Sequence, residues 1–440
     1  MARRKGWTRA KRKRARAKAN SALRERRRVI QAHRDRADTR YAGVVPMVEY
    51  GERVLKMGQR LTSILKMKKG RTAVYRPVDE AMAYIGTQLM GILRLNHIDQ
   101  LLPEAGVARI FGLPQWPSEN TEQRFLKRAG EPTLEGLDRI MQKQIWEQEV
   151  QRVPGPIEID GDVTGVPQRG RKREGVLSGY CGGRARPCYQ QPRVTLNGLV
   201  WWTDLRPGND GCSDVFERTF GVAMQTAGKF VRRPVIMRVD AYYASKANLR
   251  LALSSAQEQS NLKFFLAINA HDMAQTRWDE LTRSGRGPWT RVNSTTEIRE
   301  LGLVRPWGEE TGSVRAVAVR REERGPGRKT RGTKSETAWD LRYLIVTSVP
   351  RKGLGARKVF KRYHQRQREE FSFKDGKQSL STAKMPTQKL MANRAHVKMV
   401  ALAQNLMQMF ARRFLPHKGR YGPTCKTIRE KVIVVGGKNR

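Results

Sequence analysis

Two aspartates and a glutamate draw the eye in a chain that is otherwise strongly basic. Asp162 lies in Pro156-Ile-Glu-Ile-Asp-Gly-Asp-Val163, and Asp240 closes Pro234-Val-Ile-Met-Arg-Val-Asp240. Glu370 ends Tyr363-His-Gln-Arg366-Gln-Arg-Glu-Glu370. Carboxylates are hard oxygen donors, and several converging on one point can hold two divalent cations about 3.5 to 4 Å apart, the arrangement that drives phosphodiester chemistry. The two aspartates sit in segments that read as strands, where an isolated ionised carboxylate is costly unless it binds metal or pairs with a cation. For Asp240 two readings stand side by side: a metal ligand, or a structural salt bridge, with Arg238 as the nearest candidate. If the third acid lies on one helix, Arg366, Glu370 and Lys377 fall at about 300°, 340° and 320° from Tyr363, so all four share a narrow face. Gly376 weakens the case for a helix that reaches Lys377 unbroken. The competing reading of the run is a solvated charged face.

The elements that must position these acids follow from hydrophobic periodicity. From about 44 to 150, apolar residues such as Val45, Val48, Leu55, Leu89, Ile92 and Leu93 recur at helical spacing. Past Pro154 the period becomes two: Ile157 and Ile159 point one way, Glu158, Asp160 and Asp162 the other. Arg193–Leu196, Asn197-Gly198 and Leu199–Thr203 predict a hairpin with a type I′ turn. A helix between Asp210 and Lys229, a strand ending at Asp240, a helix through Leu249 and Leu253, and a strand at Phe264–Ile268 give the order βββ, α, β, α, β. That order is ribonuclease H-like: an α/β mixed sheet with helices on its faces. Residues 270–350, with Trp278, Trp289 and Trp307 and strands at 314–319 and 343–349, read as a β-rich insertion, and two helices, about 355–373 and 384–414, close the fold. The resulting organisation is a basic disordered arm over 1–43, a helical DNA-binding domain over 44–153, the first part of the core over 154–269, the insertion over 270–350, closing helices over 351–415 and a basic segment over 416–440.

Composition narrows the partner. The chain has 440 residues and a formal charge of +46, and its first 40 residues hold 17 Lys/Arg against 3 Asp/Glu. A surface so basic favours a long phosphate backbone, whose condensed counterions it would displace. No apolar run approaches the roughly 20 residues of a spanning helix, and no apolar core follows the basic N-terminus, so neither a membrane partner nor a secretory signal is expected. Cys181, Cys188, Cys212 and Cys425 form no CxxC pair and are expected to be reduced thiols, without a zinc site. Gly327–Ser335 fails the phosphate-loop pattern because Thr333, not Lys, follows the second glycine.

With these residues in view, a resemblance can be stated. Tyr363, Arg366, Glu370 and Lys377 match, residue for residue, the Tyr-x2-Arg-x3-Glu-x6-Lys signature of a large group of bacterial insertion-sequence DDE transposases. Asp160-Gly-Asp162-Val-Thr164 resembles the first-aspartate strand of that family, Leu205-Arg-Pro-Gly-Asn209 its loop after the third strand, and Arg238-Val-Asp240-Ala-Tyr-Tyr its second-aspartate strand. Weaker likenesses at Thr121–Leu126 and Ala401–Leu406 extend the resemblance over about 45 to 435. Gly179-Tyr-Cys-Gly182 with Pro187 departs from the usual loop pattern. Thr164 favours Asp162 over Asp160 as first carboxylate, a provisional choice because both face the same side.

The resemblance implies a metal-dependent enzyme that cuts and joins DNA in cut-and-paste transposition. Asp162, Asp240 and Glu370 would be catalytic and hold Mg2+, with Mn2+ able to substitute; Tyr363, Arg366 and Lys377 would grip DNA. It further implies double-stranded DNA partners, namely terminal inverted repeats and target DNA, a homodimer on DNA, and a cytoplasmic, nucleoid-associated location. A flipped base at a hairpin intermediate could stack on Trp289 or Trp307, although core packing of both is the plainer expectation. Two rivals remain: a ribonuclease H-like nuclease that does not join strands, and a non-catalytic basic nucleic-acid-binding protein.

Overall fold

The computed structural model describes Thr39 and residues 41–70, 73–170, 172–273, 275–322, 341–416 and 422–434. Nearly all of the basic arm, the Gly327–Ser335 stretch, most of the basic loop before Leu341 and part of the C-terminal segment lie outside the described residues.

Among the described residues eleven strands form one sheet: β1 (Ile157–Pro167), β2 (Leu177–Tyr180), β3 (Ala185–Leu196), β4 (Leu199–Thr203), β5 (Arg206–Pro207), β6 (Val235–Val239), β7 (Leu262–Asn269), β8 (Arg286–Asn293), β9 (Thr296–Val304), β10 (Val314–Arg321) and β11 (Leu341–Thr347). The path runs β2-β3-β1-β6-β7-β11-β10-β9-β8, with β4 and β5 also paired to β3. Its centre, β4-β3-β1-β6-β7, is the ribonuclease H-like arrangement: β3 is antiparallel to β4 and β1, while β1, β6 and β7 are parallel. Asn197 at φ 51° and Gly198 at φ 76° make the β3–β4 connection the type I′ turn predicted from Asn-Gly. Of the inserted strands, β11 pairs antiparallel with β7, so the insertion continues the core sheet. β8 and β9, with their glycines and charges, carry no sequence signal strong enough to have been read as strands.

Alternation along the parallel strands gives the sheet two unlike faces. Val235, Met237, Val239, Phe264 and Leu266 join the main core, which takes in the helix Val215–Lys229 and the N-terminal helices. Ile236, Phe265, Ala267 and Ile345 face the other way and pack on Val359 and Tyr363 of the helix Ala356–His364. A 25-residue helix, Leu390–Phe414, is buried along most of its length and packs against β4 and the helices Val45–Arg53, Pro77–Met90, Glu119–Lys127 and Glu131–Ile145. Its Lys398 ties these parts together through Asp138 at 2.7 Å and the Thr203 carbonyl at 2.6 Å.

Gly161, between the two aspartates of β1, lies against the helix Val215–Lys229. A Cβ there would stand 2.0 Å from Thr219 Oγ1, which already donates to the Val215 carbonyl at 2.6 Å. Gly161→Ala is therefore expected to destabilise the fold by about 1–3 kcal/mol through overpacking. The check is a lower urea midpoint at unchanged slope, with partial recovery when Thr219→Ala is added.

Candidate active site

The register of β1 and β6 brings the two sequence-predicted aspartates together. Asp160 lies opposite Arg238 and Gly161 opposite Val239, so one further step sets Asp162 beside Asp240. Glu158, Asp160 and Asp162 all face the helices Ala356–His364 and Gln367–Gln378, as alternation requires.

Asp160 and Asp162 have different partners. Asp160 is 1% exposed and bound by Arg238 through both carboxylate oxygens, at 2.6 and 2.8 Å. Arg238 also donates to Glu158 at 2.9 Å, and Glu158 is held besides by Arg362 and Arg368. Asp162 instead meets the Arg366 guanidinium at 2.9 Å. The same guanidinium lies 3.5 Å from Asp240 and 3.5 Å from Glu370. The salt bridge considered for Asp240 thus runs to Arg366, while Arg238 serves Asp160 and Glu158.

Tyr363 and Glu370 do not share one helix. The chain breaks at Gln365–Arg366, between Ala356–His364 and Gln367–Gln378, and the second helix runs straight through Gly376 to Lys377. Local turn hydrogen bonds close the first helix, Gln365 N to the Arg362 carbonyl at 3.3 Å and Arg366 N to the Tyr363 carbonyl at 3.0 Å, and buried Arg238 adds a second bond to the Arg362 carbonyl at 3.1 Å. After the break Glu369 points into the core with neither carboxyl oxygen hydrogen-bonded, and burial pushes its pKa well up, with Asp162 and Asp160 adding repulsion. Its neighbour Glu370 faces outward, 56% exposed.

A cavity of about 750 Å³ opens on this group, lined by Asp240, Tyr363, Arg366 and Glu370 on one side and by Asn293–Thr296 and Arg321 of the inserted strands on the other. The β8–β9 turn and Arg321 carry no spacing relation to the acids, so the sequence did not mark them. Tyr363 is 5% exposed, and burial raises its hydroxyl well above the usual range. Lys377 donates to Thr164 Oγ1 at 2.7 Å and the Gly165 carbonyl at 2.8 Å, bracing the far end of β1. Trp289 and Trp307 are partly buried against the core, and Arg320 stacks on Trp289 at 4.2 Å. All four cysteines are buried and free.

Electrostatically the site is short of positive charge. Burial lifts the Asp162 carboxyl to about 6 against the pull of Arg366, and Asp240 and Glu370 add like-charge repulsion. Asp162 accepts from Val163 N at 2.8 Å and Asp240 from Ala241 N at 2.7 Å, which fixes both carboxylates in place. Among the described residues no three His, Cys, Asp or Glu side chains are gathered tightly enough to hold a metal as they stand. The donor chemistry nonetheless fits a divalent cation: hard oxygens, fixed by backbone N–H groups, already surround one positive group.

Residues 23–439 match the family described as Transposase DDE domain group 1. The chain belongs to that family of DDE transposases. The match reaches further into the N-terminal region than residue 45, where the motif likenesses begin. Among solved structures, a piggyBac transposase synaptic complex with hairpin DNA is similar at 13% identity and a TM-score of 0.42, covering 88% of this chain and 78% of that one. No curated protein matches the sequence.

Two outcomes follow for this DDE-family chain. Arg238→Met, which strands buried Asp160, is expected to cost about 3–5 kcal/mol, whereas Asp162→Asn, with Arg366 still facing Asp240 and Glu370, keeps the fold; paired urea titrations check both. Burial lowers the Lys377 ammonium from 10.5 to about 8. A folded-state pKa below the unfolded one means the unfolded chain binds more protons between about 8 and 10.5, so this contribution to stability rises with pH across that window. Lys377→Met should remove that part of the rise, measured as the difference between the two proteins' stability–pH curves.

Proposed function

We propose that the chain is a cut-and-paste transposase of the bacterial insertion-sequence type. It binds the terminal inverted repeats of a mobile element as a homodimer on DNA, associates with the nucleoid, and performs metal-dependent strand cleavage and strand transfer. Asp162, Asp240 and Glu370 are the catalytic carboxylates. The observation that carries the reading is the convergence of these three side chains, from two parallel strands and a helix, on the one Arg366 guanidinium beside an open cavity.

Mg2+, or Mn2+ in its place, when bound by these carboxylates, lowers the pKa of an attacking water or DNA 3′-hydroxyl and stabilises the leaving oxygen in an in-line displacement. The protein's own part is to hold the ligands. Asp162 and Asp240 keep their orientation through the Val163 and Ala241 amides, and Glu370 approaches from a separate element. Arg366, freed from the carboxylates, offers a planar fork to the terminal phosphate, and Tyr363 lines the cavity beside it. Lys377 completes the DNA-gripping set from its seat on Thr164 and Gly165, next to the first-aspartate strand.

Asp240→Ala and Glu370→Ala are each expected to lower metal-dependent cleavage by at least about a thousandfold, since such metal stabilisation is worth several kcal/mol. The substrate is a duplex carrying the DNA that flanks the gene. Cleavage by either variant at the parent rate would overturn the carboxylate assignment. Cleavage without any joined product would favour a nuclease.

A further inference from the structure

Strand β1 is longer than its parallel neighbour. It pairs with β6 only as far as Gly161 opposite Val239, yet continues to Pro167, paired there with β3 alone and braced by Lys377. Five residues thus project past Asp162, which at about 3.3 Å each reach roughly 16 Å beyond the carboxylate level. β2 and β3 extend this ribbon: Leu177 pairs with Cys188 and Tyr180 with Ala185. A tight turn closes it, with Cys181 N donating to the Arg184 carbonyl at 2.9 Å and positive φ at Gly182 (62°) and Gly183 (82°). Two consecutive positive φ values are the type I′ geometry that keeps a hairpin twisted and narrow.

The ribbon is anchored to the carboxylate site. A Cβ on Gly165 would stand 2.6 Å from Cys181 Sγ, so the turn folds onto the segment that Lys377 holds. Val166, Val176 and Tyr189 at its base pack on Val397 of the long buried helix. Its outer end has a different character. Tyr180 is 73% and Leu177 45% exposed. Arg169, Lys172 and Arg184 are exposed, and among the described residues neither they nor Arg186 forms an ion pair with a carboxylate. One exposed ring, Tyr180, among unneutralised cations, on a hairpin whose turn packs back on β1 at Gly165 beside the carboxylate site, is complementary in charge and shape to a nucleic-acid backbone.

We propose that the β2–β3 hairpin is a DNA-gripping arm. Arg184 and Arg186 take duplex phosphates, and the Tyr180 ring packs against the adjoining sugar; its carbonyl accepts from Gln190, opposite Gly165, which is roughly 10 Å past Asp162 and so about three nucleotides from the cleaved bond at 3.4 Å per nucleotide along one strand. The proposal rests on the reading of Asp162, Asp240 and Glu370 as the DNA-cutting centre.

The experiment compares the parent, the double variant Tyr180→Ala/Arg184→Ala, Arg184→Lys and Asp240→Ala. The probes are a duplex taken from the DNA flanking the gene and a random-sequence duplex of equal length. The double variant is expected to bind both about tenfold more weakly, with a salt slope shallower by about one, and to lose backbone protection about three nucleotides from the cut. Arg184→Lys keeps the parent's salt slope, and Asp240→Ala keeps its affinity while losing cleavage. Parent-like affinity, slope and footprint in the double variant, beside an inactive Asp240→Ala, would overturn the arm and leave the catalytic reading standing. Parent-like cleavage by Asp240→Ala would overturn the catalytic reading instead. A double variant that fails to self-associate without DNA, yet keeps the parent footprint, would make the hairpin a contact between copies of the chain and also overturn the proposal.

Discussion

Strand β1 carries three acids on one face, and the structure around it is organised by the need to compensate them. Glu158, Asp160 and Asp162 alternate along the strand, and β6 adds Asp240 on the same side. Buried carboxylates so close repel one another, and each loses water without a cation to replace it. Arg238 answers the inner pair and Arg366 the outer pair, with Arg362 and Arg368 closing on Glu158. Three of these four arginines lie between Arg362 and Arg368, on the closing helices and the break between them. The helices dock where they do because their cations meet that face, and Glu370 is delivered as a result.

The two arginines do different work because they sit at different depths. Arg238 is fully enclosed and binds Asp160 through two short hydrogen bonds, and it also binds the carbonyl that ends the helix Ala356–His364. Removing it would leave the buried Asp160 carboxylate uncompensated and take one of two hydrogen bonds from the Arg362 carbonyl. Arg366 binds Asp162 closely, but its contacts to Asp240 and Glu370 are 3.5 Å, longer than a good hydrogen bond, and those two carboxylates are 41% and 56% exposed. The inner pair is a fixed structural bond. The outer group is a set of acids sharing one cation, bound closely to Asp162 and loosely to its two more exposed members.

Much of the core was legible because it depends on short-range rules. Period two identified β1 and placed Asp160 and Asp162 on one face, Asn197-Gly198 fixed the β3–β4 register, and a buried apolar run ending in a carboxylate located β6. What escaped the sequence depends on distant partners. The helix break at Gln365–Arg366 has no Gly or Pro to signal it; a turn closes it, and Arg238, 124 residues from Arg362, adds a bond to the Arg362 carbonyl. Gly376, which looked like the breaker, sits inside a helix against Thr382 and Gln404. Arg238 could equally have been assigned to Asp240, and only the parallel register shows that it lies opposite Asp160. β8 and β9 lack clean alternation because their pairing to a sheet already begun supplies order that their own sequence does not. The Gly182-Gly183 turn lay in a stretch read only as a loop departing from a family pattern.

The long separation between Asp240 and Glu370 raises the question of how two residues so far apart in sequence are held in register. Had the insertion been an appended unit on flexible joints, each joint would have loosened the position of Glu370. Instead the chain leaves the core after β7 and returns through β11, which pairs with β7 from Phe265 to Asn269 before the closing helices begin. Hydrogen bonds of one continuous sheet therefore connect β6, which ends one residue before Asp240, to β11, which leads into Ala356–His364 and then the helix Gln367–Gln378 that bears Glu370. The same pairing sets the β8–β9 turn and Arg321 across the cavity from the carboxylates. The insertion thus both walls the cavity opposite the carboxylates and supplies the sheet-bonded path by which the chain returns to Glu370.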